Sequence, residues 1–230
     1  MSRFLFAAPL LALTVAAAAQ VPPPRPPGLV SGQPAKASAP APAKTEGGAA
    51  LEEPTIDRVN AYFNGIKGMQ ARFVQTSPDG RKFAGTLYLL RPGRMRFEYN
   101  APATLEIIAD GRSVAVRDRK LNTQDLYFIG QTPLKFLLQP KISVGKDSTV
   151  TGLKREGEEI ILHLEDKSTF GGTSQIRIAF DGITHAIKEW TVTDAQGNNT
   201  RVMLSNLNMA AVPDKSLFVI DEQKMIEPRN

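Results

Sequence analysis

From Met69 onward, apolar and polar residues alternate with a period of two along most of the chain. Met69, Ala71 and Phe73 alternate with Gln70, Arg72 and Val74. Phe83, Gly85, Leu87 and Leu89 alternate with Ala84, Thr86, Tyr88 and Leu90. Met95, Phe97 and Tyr99 alternate with Arg94, Arg96 and Glu98. Successive side chains of a strand point to opposite faces, so this period predicts strands that are apolar on one face. Further strands are predicted at 105–109, 113–117, 125–129, 150–154, 159–165, 175–180, 186–193 and 200–206. Pro78-Asp79-Gly80, Arg91-Pro92-Gly93, Asp110-Gly111, Asp181-Gly182 and Gln196-Gly197-Asn198 fall between these runs, where antiparallel hairpins need turns. No strand–helix–strand alternation argues for a parallel sheet. The expected fold is mainly β (α+β), with about eleven strands in sequential hairpins. They form one large, strongly curved antiparallel sheet or an incomplete barrel.

Two segments have helical character. In residues 51–67, Leu51, Ile56, Val59, Tyr62, Phe63 and Ile66 share one broad face, Thr55 is the expected N-cap, and Gly65 and Gly68 end the helix. Thr132-Pro133-Leu134-Lys135-Phe136-Leu137-Leu138 reads as a short apolar helix, with Thr132 capping it and Pro133 in its first turn. A large curved sheet must cover its concave face, and these two helices are the available cover.

The N-terminal residues follow other rules. Residues 1–19 read as a secretory signal peptide: Arg3 is basic, Phe4 to Val15 is apolar, and Ala17-Ala18-Ala19 offers small residues for cleavage before Gln20. The apolar run is shorter than the roughly 20 residues of a membrane-spanning helix, and Pro9 interrupts it. Residues 20–50 hold eight of the 17 prolines and read as a disordered Pro/Ala-rich linker. The folded domain is expected at 51–230.

Composition removes several functions. The chain has no Cys, which excludes disulfides, a Cys-held metal, a cysteine nucleophile and the lipidated Cys of a bacterial lipoprotein. The net charge is +5, but Arg3 carries one unit and Arg25, Lys36, Lys44 and Glu46 together two. What remains on the domain is too little to argue for nucleic-acid binding. The two histidines, His163 and His185, lack metal-ligand spacing, and neither a phosphate loop nor a G-x-S-x-G elbow occurs. The carboxylate pairs Glu52-Glu53, Glu158-Glu159 and Glu165-Asp166 fall at element ends and read as solvated charge. No catalytic residue, metal or cofactor is expected.

Residues 71–75 (Ala-Arg-Phe-Val-Gln), 83–89 (Phe-Ala-Gly-Thr-Leu-Tyr-Leu) and 91–99 (Arg-Pro-Gly-Arg-Met-Arg-Phe-Glu-Tyr) resemble the periplasmic outer-membrane lipoprotein carrier family, LolA. Ile108-Ala109-Asp110-Gly111-Arg112 and Thr132-Pro133-Leu134 continue the match in order, over roughly residues 51–207. The resemblance implies an unclosed antiparallel barrel with a helical lid over a hydrophobic cavity. It implies a soluble, monomeric periplasmic carrier that receives acylated lipoproteins from an inner-membrane ABC release complex and passes them towards an outer-membrane acceptor. It also makes Arg91 the residue that tethers the lid to the sheet.

The cavity candidates are Phe73, Leu87, Leu89, Met95, Phe97, Ile107 and Trp190, with Leu134, Phe136 and Leu137 on the lid. Alternation places residues on one face and leaves open whether that face is hollow or a filled core. Two other readings share the pattern: an envelope sensor that binds lipidated proteins as a signal, and a β scaffold that binds no lipid.

Overall fold

A computed structural model describes residues 54–221. The expected signal peptide at 1–19, the expected linker at 20–50, residues 51–53 and residues 222–230 lie outside the described residues. The first helix, α1, is Ile56–Gly65. Strands β1 Gly68–Thr76, β2 Lys82–Leu90, β3 Arg94–Tyr99, β4 Leu105–Asp110, β5 Ser113–Asp118 and β6 Thr123–Phe128 follow. Then come a 3₁₀ turn at Ile129–Gln131 and helices α2 Lys135–Leu138 and α3 Val144–Asp147. Strands β7 Thr149–Glu156, β8 Glu159–Asp166, β9 Ser174–Asp181, β10 Ile187–Thr193 and β11 Asn199–Asn208 complete the sheet, before a second 3₁₀ turn at Lys215–Phe218.

The eleven strands form one antiparallel sheet in the order β6-β5-β4-β3-β2-β1-β11-β10-β9-β8-β7. Every strand but one pairs with its successor in the chain. The exception is β6, which is followed by the helical segment 129–147 instead, so β6 and β7 become the two free edges. The last strand returns to pair with the first, with Phe73 opposite Leu204 and Gln75 opposite Val202. The sheet is therefore continuous around β1 and open at a single seam, where the chain makes its helices.

Curvature follows from one distance. Phe97 on β3 and Trp190 on β10 are four strand steps apart, roughly 19 Å along a flat sheet. Their rings lie 6.3 Å apart. The sheet curls so that strands far apart in order share one interior. The predicted alternation is observed: Met69, Ala71 and Phe73 are buried between exposed Gln70, Arg72 and Val74, and Met95, Phe97 and Tyr99 are all buried. Gly85 permits one of these packings. A Cβ there would lie 2.7 Å from the Phe73 ring and 2.1 Å from the Glu98 carbonyl oxygen, so only glycine lets Phe73 lie across β2.

Two helical expectations change. Thr55 does cap α1, accepting from the Arg58 amide at 3.3 Å. Thr132, however, does not cap α2. Its buried hydroxyl points back and donates to the Ile129 carbonyl at 2.9 Å, so the helix starts only at Lys135. The short helix α3 was not predicted; four residues are too few to show a helical period. On the opposite face of the sheet, β4 breaks alternation because Glu106 and Ile108 are also buried. The 3₁₀ turn at Lys215–Phe218 lies over this face, with Phe218 buried, and Arg96 donates to the Leu217 carbonyl at 3.1 Å while pairing with Glu106.

Candidate functional site

The inward-facing side chains of the sheet and the inner faces of α1 and α2 form a single apolar cluster. Aromatic rings link lid to sheet in a continuous series. Phe63 of α1 meets Phe136 of α2 at 5.9 Å, Phe136 meets Trp190 at 5.9 Å, Trp190 meets Phe97, and Phe97 meets Phe73 at 5.0 Å. All four contacts are edge-to-face, the arrangement the ring quadrupole favours. All the predicted cavity and lid residues belong to this cluster. They divide into two groups. Phe97, Ile107, Leu134 and Trp190 line an apolar cleft with Val192 and Val202, and Gln75, Asp194, Asn198 and Thr200 supply its polar lining. Phe73, Leu87, Leu89 and Met95 lie behind it, fully packed, and Phe136 and Leu137 press on it from the lid.

The cleft has about 50 Å³ of free volume, room for a few water molecules. At this cleft the side chains therefore leave little free space among the described residues, and Leu134 of the lid segment is one of those that line it. One polar pair lies inside: the Tyr99 hydroxyl donates to Gln75 Oε1 at 2.7 Å, and burial pushes the phenol pKa up.

Arg91 stands where β2 turns into β3. Its amide donates to the Lys67 carbonyl at 2.9 Å, which fixes the backbone. Nη1 donates to the Phe63 carbonyl at 2.8 Å, and Nη2 to the Gln139 and Pro140 carbonyls at 2.6 and 3.0 Å. These oxygens lie at the C-terminal end of α1 and just beyond α2, where helix carbonyls lack intrahelical partners. A planar guanidinium with five donors can serve all three at once. Gly93, two residues on, adopts φ +74, and a Cβ there would lie 2.7 Å from the Gly111 backbone. The turn that presents Arg91 therefore requires glycine for both conformation and space.

Further contacts hold the helical segments to the sheet and to one another beyond what the local pattern predicts. Asn60 and Asn64, one helical turn apart on α1, sew it to the segment entering α3. Asn60 Oδ1 accepts from the Val144 amide at 2.8 Å, and Asn64 both accepts from the Ile142 amide at 2.9 Å and donates to its carbonyl at 2.8 Å. Their spacing of four on an amphipathic helix was the available signal. The Tyr62 hydroxyl accepts from the Ile187 amide at 2.9 Å, pinning α1 to β10. Asp166 reverses an expectation. It is 2% exposed and paired with Lys135, so it is not a solvated strand-end charge. Among the described residues, no helix is long and apolar enough to cross a membrane, and no group of three His, Asp or Glu could hold a metal ion.

The family model and the curated relatives agree on one family. The family described as outer membrane lipoprotein carrier protein LolA matches residues 64–221. The outer-membrane lipoprotein carrier protein of Leptothrix cholodnii is 31% identical over 168 residues, 69% of this chain and 77% of the relative. That of Methylococcus capsulatus is 28% identical over 170 residues, 70% of this chain and 80% of the relative. A LolA superfamily protein of Nitrosomonas europaea, known by crystal structure, aligns with 11% identity and a TM-score of 0.40 over 73% of this chain and 98% of its own.

Proposed function

Since the chain belongs to the LolA family of outer membrane lipoprotein carriers, we propose that this lipoprotein carrier takes acyl chains into its interior as the lid lifts, and releases them as the lid closes again. The observation that carries the reading is that lid side chains occupy the space cargo would need: Leu134 lines the cleft, and Phe136 packs on Trp190. Lid and acyl chain then compete for one apolar surface.

The magnitudes make that competition reversible. An acyl chain of about 15 methylenes gains roughly 12 kcal/mol when fully buried, at about 0.8 kcal/mol each. Lifting the lid exposes Leu134, Phe136, Leu137 and Leu138, which are all buried in the closed state. At about 1.5–3 kcal/mol per side chain, that amounts to roughly 6–12 kcal/mol. For one buried chain the two terms are of the same order, so re-closing of the lid offsets much of that chain's gain and favours its release to a better apolar host. Hydrophobic attraction is non-directional, so one interior accepts chains of different lengths.

In this reading the protein works in the periplasm, to which the signal-like residues 1–19 direct it. It receives acylated lipoproteins from an inner-membrane ABC release complex and yields them to an acceptor at the outer membrane. In this reading Arg91 serves as the gate, because it joins a carbonyl near the end of α1 to two carbonyls just past α2, and lifting α2 would break those bonds.

The test is titration of the purified protein with a triacylated Cys lipopeptide, followed by native mass spectrometry and Trp190 emission. Expected are a one-to-one complex and a change in emission as Phe136 leaves the indole. Failure to bind, or binding that leaves Trp190 unchanged, overturns the shared-interior mechanism.

A further inference from the structure

Lys135 opens α2 within a run of apolar residues, yet its side chain is only 7% exposed. Its ammonium donates to Asp166 Oδ1 at 2.8 Å and to Ser168 Oγ at 2.7 Å. Ser168 in turn donates to the same Asp166 oxygen from its amide at 2.9 Å and its hydroxyl at 2.8 Å. Asp166 Oδ2 is buried without a hydrogen-bond partner. Beside this cluster, the Phe170 amide donates to the Gln131 carbonyl at 2.7 Å. The contacts join the segment between the free edges β6 and β7 to the end of β8 and the loop after it.

We propose that Lys135 and Asp166 form a second latch on the lid, a positioning pair at the opposite end of α2 from Arg91 that sets how readily the interior opens to acyl chains. The proposal rests on the reading that the lid moves, and names a control on that motion. Arg91 grips the carbonyls just past the C-terminal end of α2, and Lys135 grips from its first residue. With both engaged, α2 is held at each end and its apolar side chains are pressed into the interior.

The chemistry suits a latch better than a rivet. A buried ion pair contributes little net stability relative to well-packed apolar side chains, because both ions lose their hydration. When the lid lifts, both regain water, and Asp166 gains most because one of its oxygens is unsatisfied while the lid is closed. The pair therefore specifies where α2 closes and holds it there weakly. An apolar pair at the same place would hold it more firmly.

Trp190 reports the lid without cargo, since it is the chain's single tryptophan, is 2% exposed, and is covered by Phe136 of α2. The experiment compares the full chain with Lys135→Met, which leaves Asp166 buried and unpaired, and with Lys135→Met/Asp166→Leu, which puts apolar side chains in place of the pair. Acrylamide quenching of Trp190 is measured first, then the rate of uptake of a triacylated Cys lipopeptide. Lys135→Met is expected to raise the quenchable population roughly tenfold, because the stranded carboxylate recovers water only by opening. The double variant is expected to quench no more than the parent and to take up lipopeptide roughly tenfold more slowly.

Parent-like quenching of Lys135→Met, or a double variant that opens as the single one does, overturns the latch. If Lys135→Met does not fold, the double variant decides alone: slower uptake supports the pair, and uptake at the parent's rate overturns it. A parent that binds no lipopeptide strikes the carrier mechanism instead, and the cargo-free quenching still decides the latch.

Discussion

Replacing Arg91 by leucine removes three hydrogen bonds from one guanidinium to the carbonyls of Phe63, Gln139 and Pro140. A hydrogen bond to a charged group contributes about 1.5–3 kcal/mol. Here the three share one half-buried group, so their effects do not add, and the closed lid loses about 2–4 kcal/mol. The carbonyls are rehydrated once the lid lifts, which confines the loss to the closed state. The closed-to-open ratio then falls between about 30-fold and several hundredfold. A larger binding-competent fraction raises apparent affinity for cargo, so uptake survives and release slows. The assay loads parent and Arg91→Leu with triacylated Cys lipopeptide, mixes them with liposomes, and follows transfer by flotation. Release at least about 30-fold slower is expected for the leucine variant. Arg91→Lys should fall between, because an ammonium reaches fewer of the three carbonyls than a planar fork does. A folded Arg91→Leu that releases lipopeptide at the parent's rate refutes the gate.

Two further substitutions test the interior. Gln75→Leu strands the Tyr99 hydroxyl in apolar surroundings and should destabilise the fold by about 1–3 kcal/mol in urea denaturation, with most of the loss recovered when Tyr99→Phe is added. An unchanged midpoint for Gln75→Leu alone would count against a buried, satisfied pair. Phe63→Ala removes a fully buried ring that touches Tyr62, Phe136 and Phe180 and should lower stability by about 3–5 kcal/mol in the same measurement. A loss below about 1 kcal/mol would mean that α1 is not anchored in the core through this ring.

What the sequence determined by itself is the local order. The pleat makes facing a property of neighbouring residues, so the alternation of Met69, Ala71 and Phe73, and of Met95, Phe97 and Tyr99, already told inside from outside. Turn residues marked the hairpins, and together they yield the eleven antiparallel strands that are observed. The resemblance carried by the segment from Arg91 to Tyr99 pointed to the family that the comparisons support. What only the tertiary structure decided depends on groups brought together from far along the chain. Arg91 reaches carbonyls 28, 48 and 49 residues away, and no local pattern specifies which. Thr132 is of a type that favours capping, yet its hydroxyl turns back to the Ile129 carbonyl. Glu106 is buried because the residues around Phe218 return over β4. Asp166 looked like a solvated charge at a strand end because its partner, Lys135, lies 31 residues away on a helix of four residues. Whether the apolar face is hollow or filled was open for the same reason: alternation gives the face of each side chain, whereas the space left inside depends on how far the sheet curls and how deeply the lid sits.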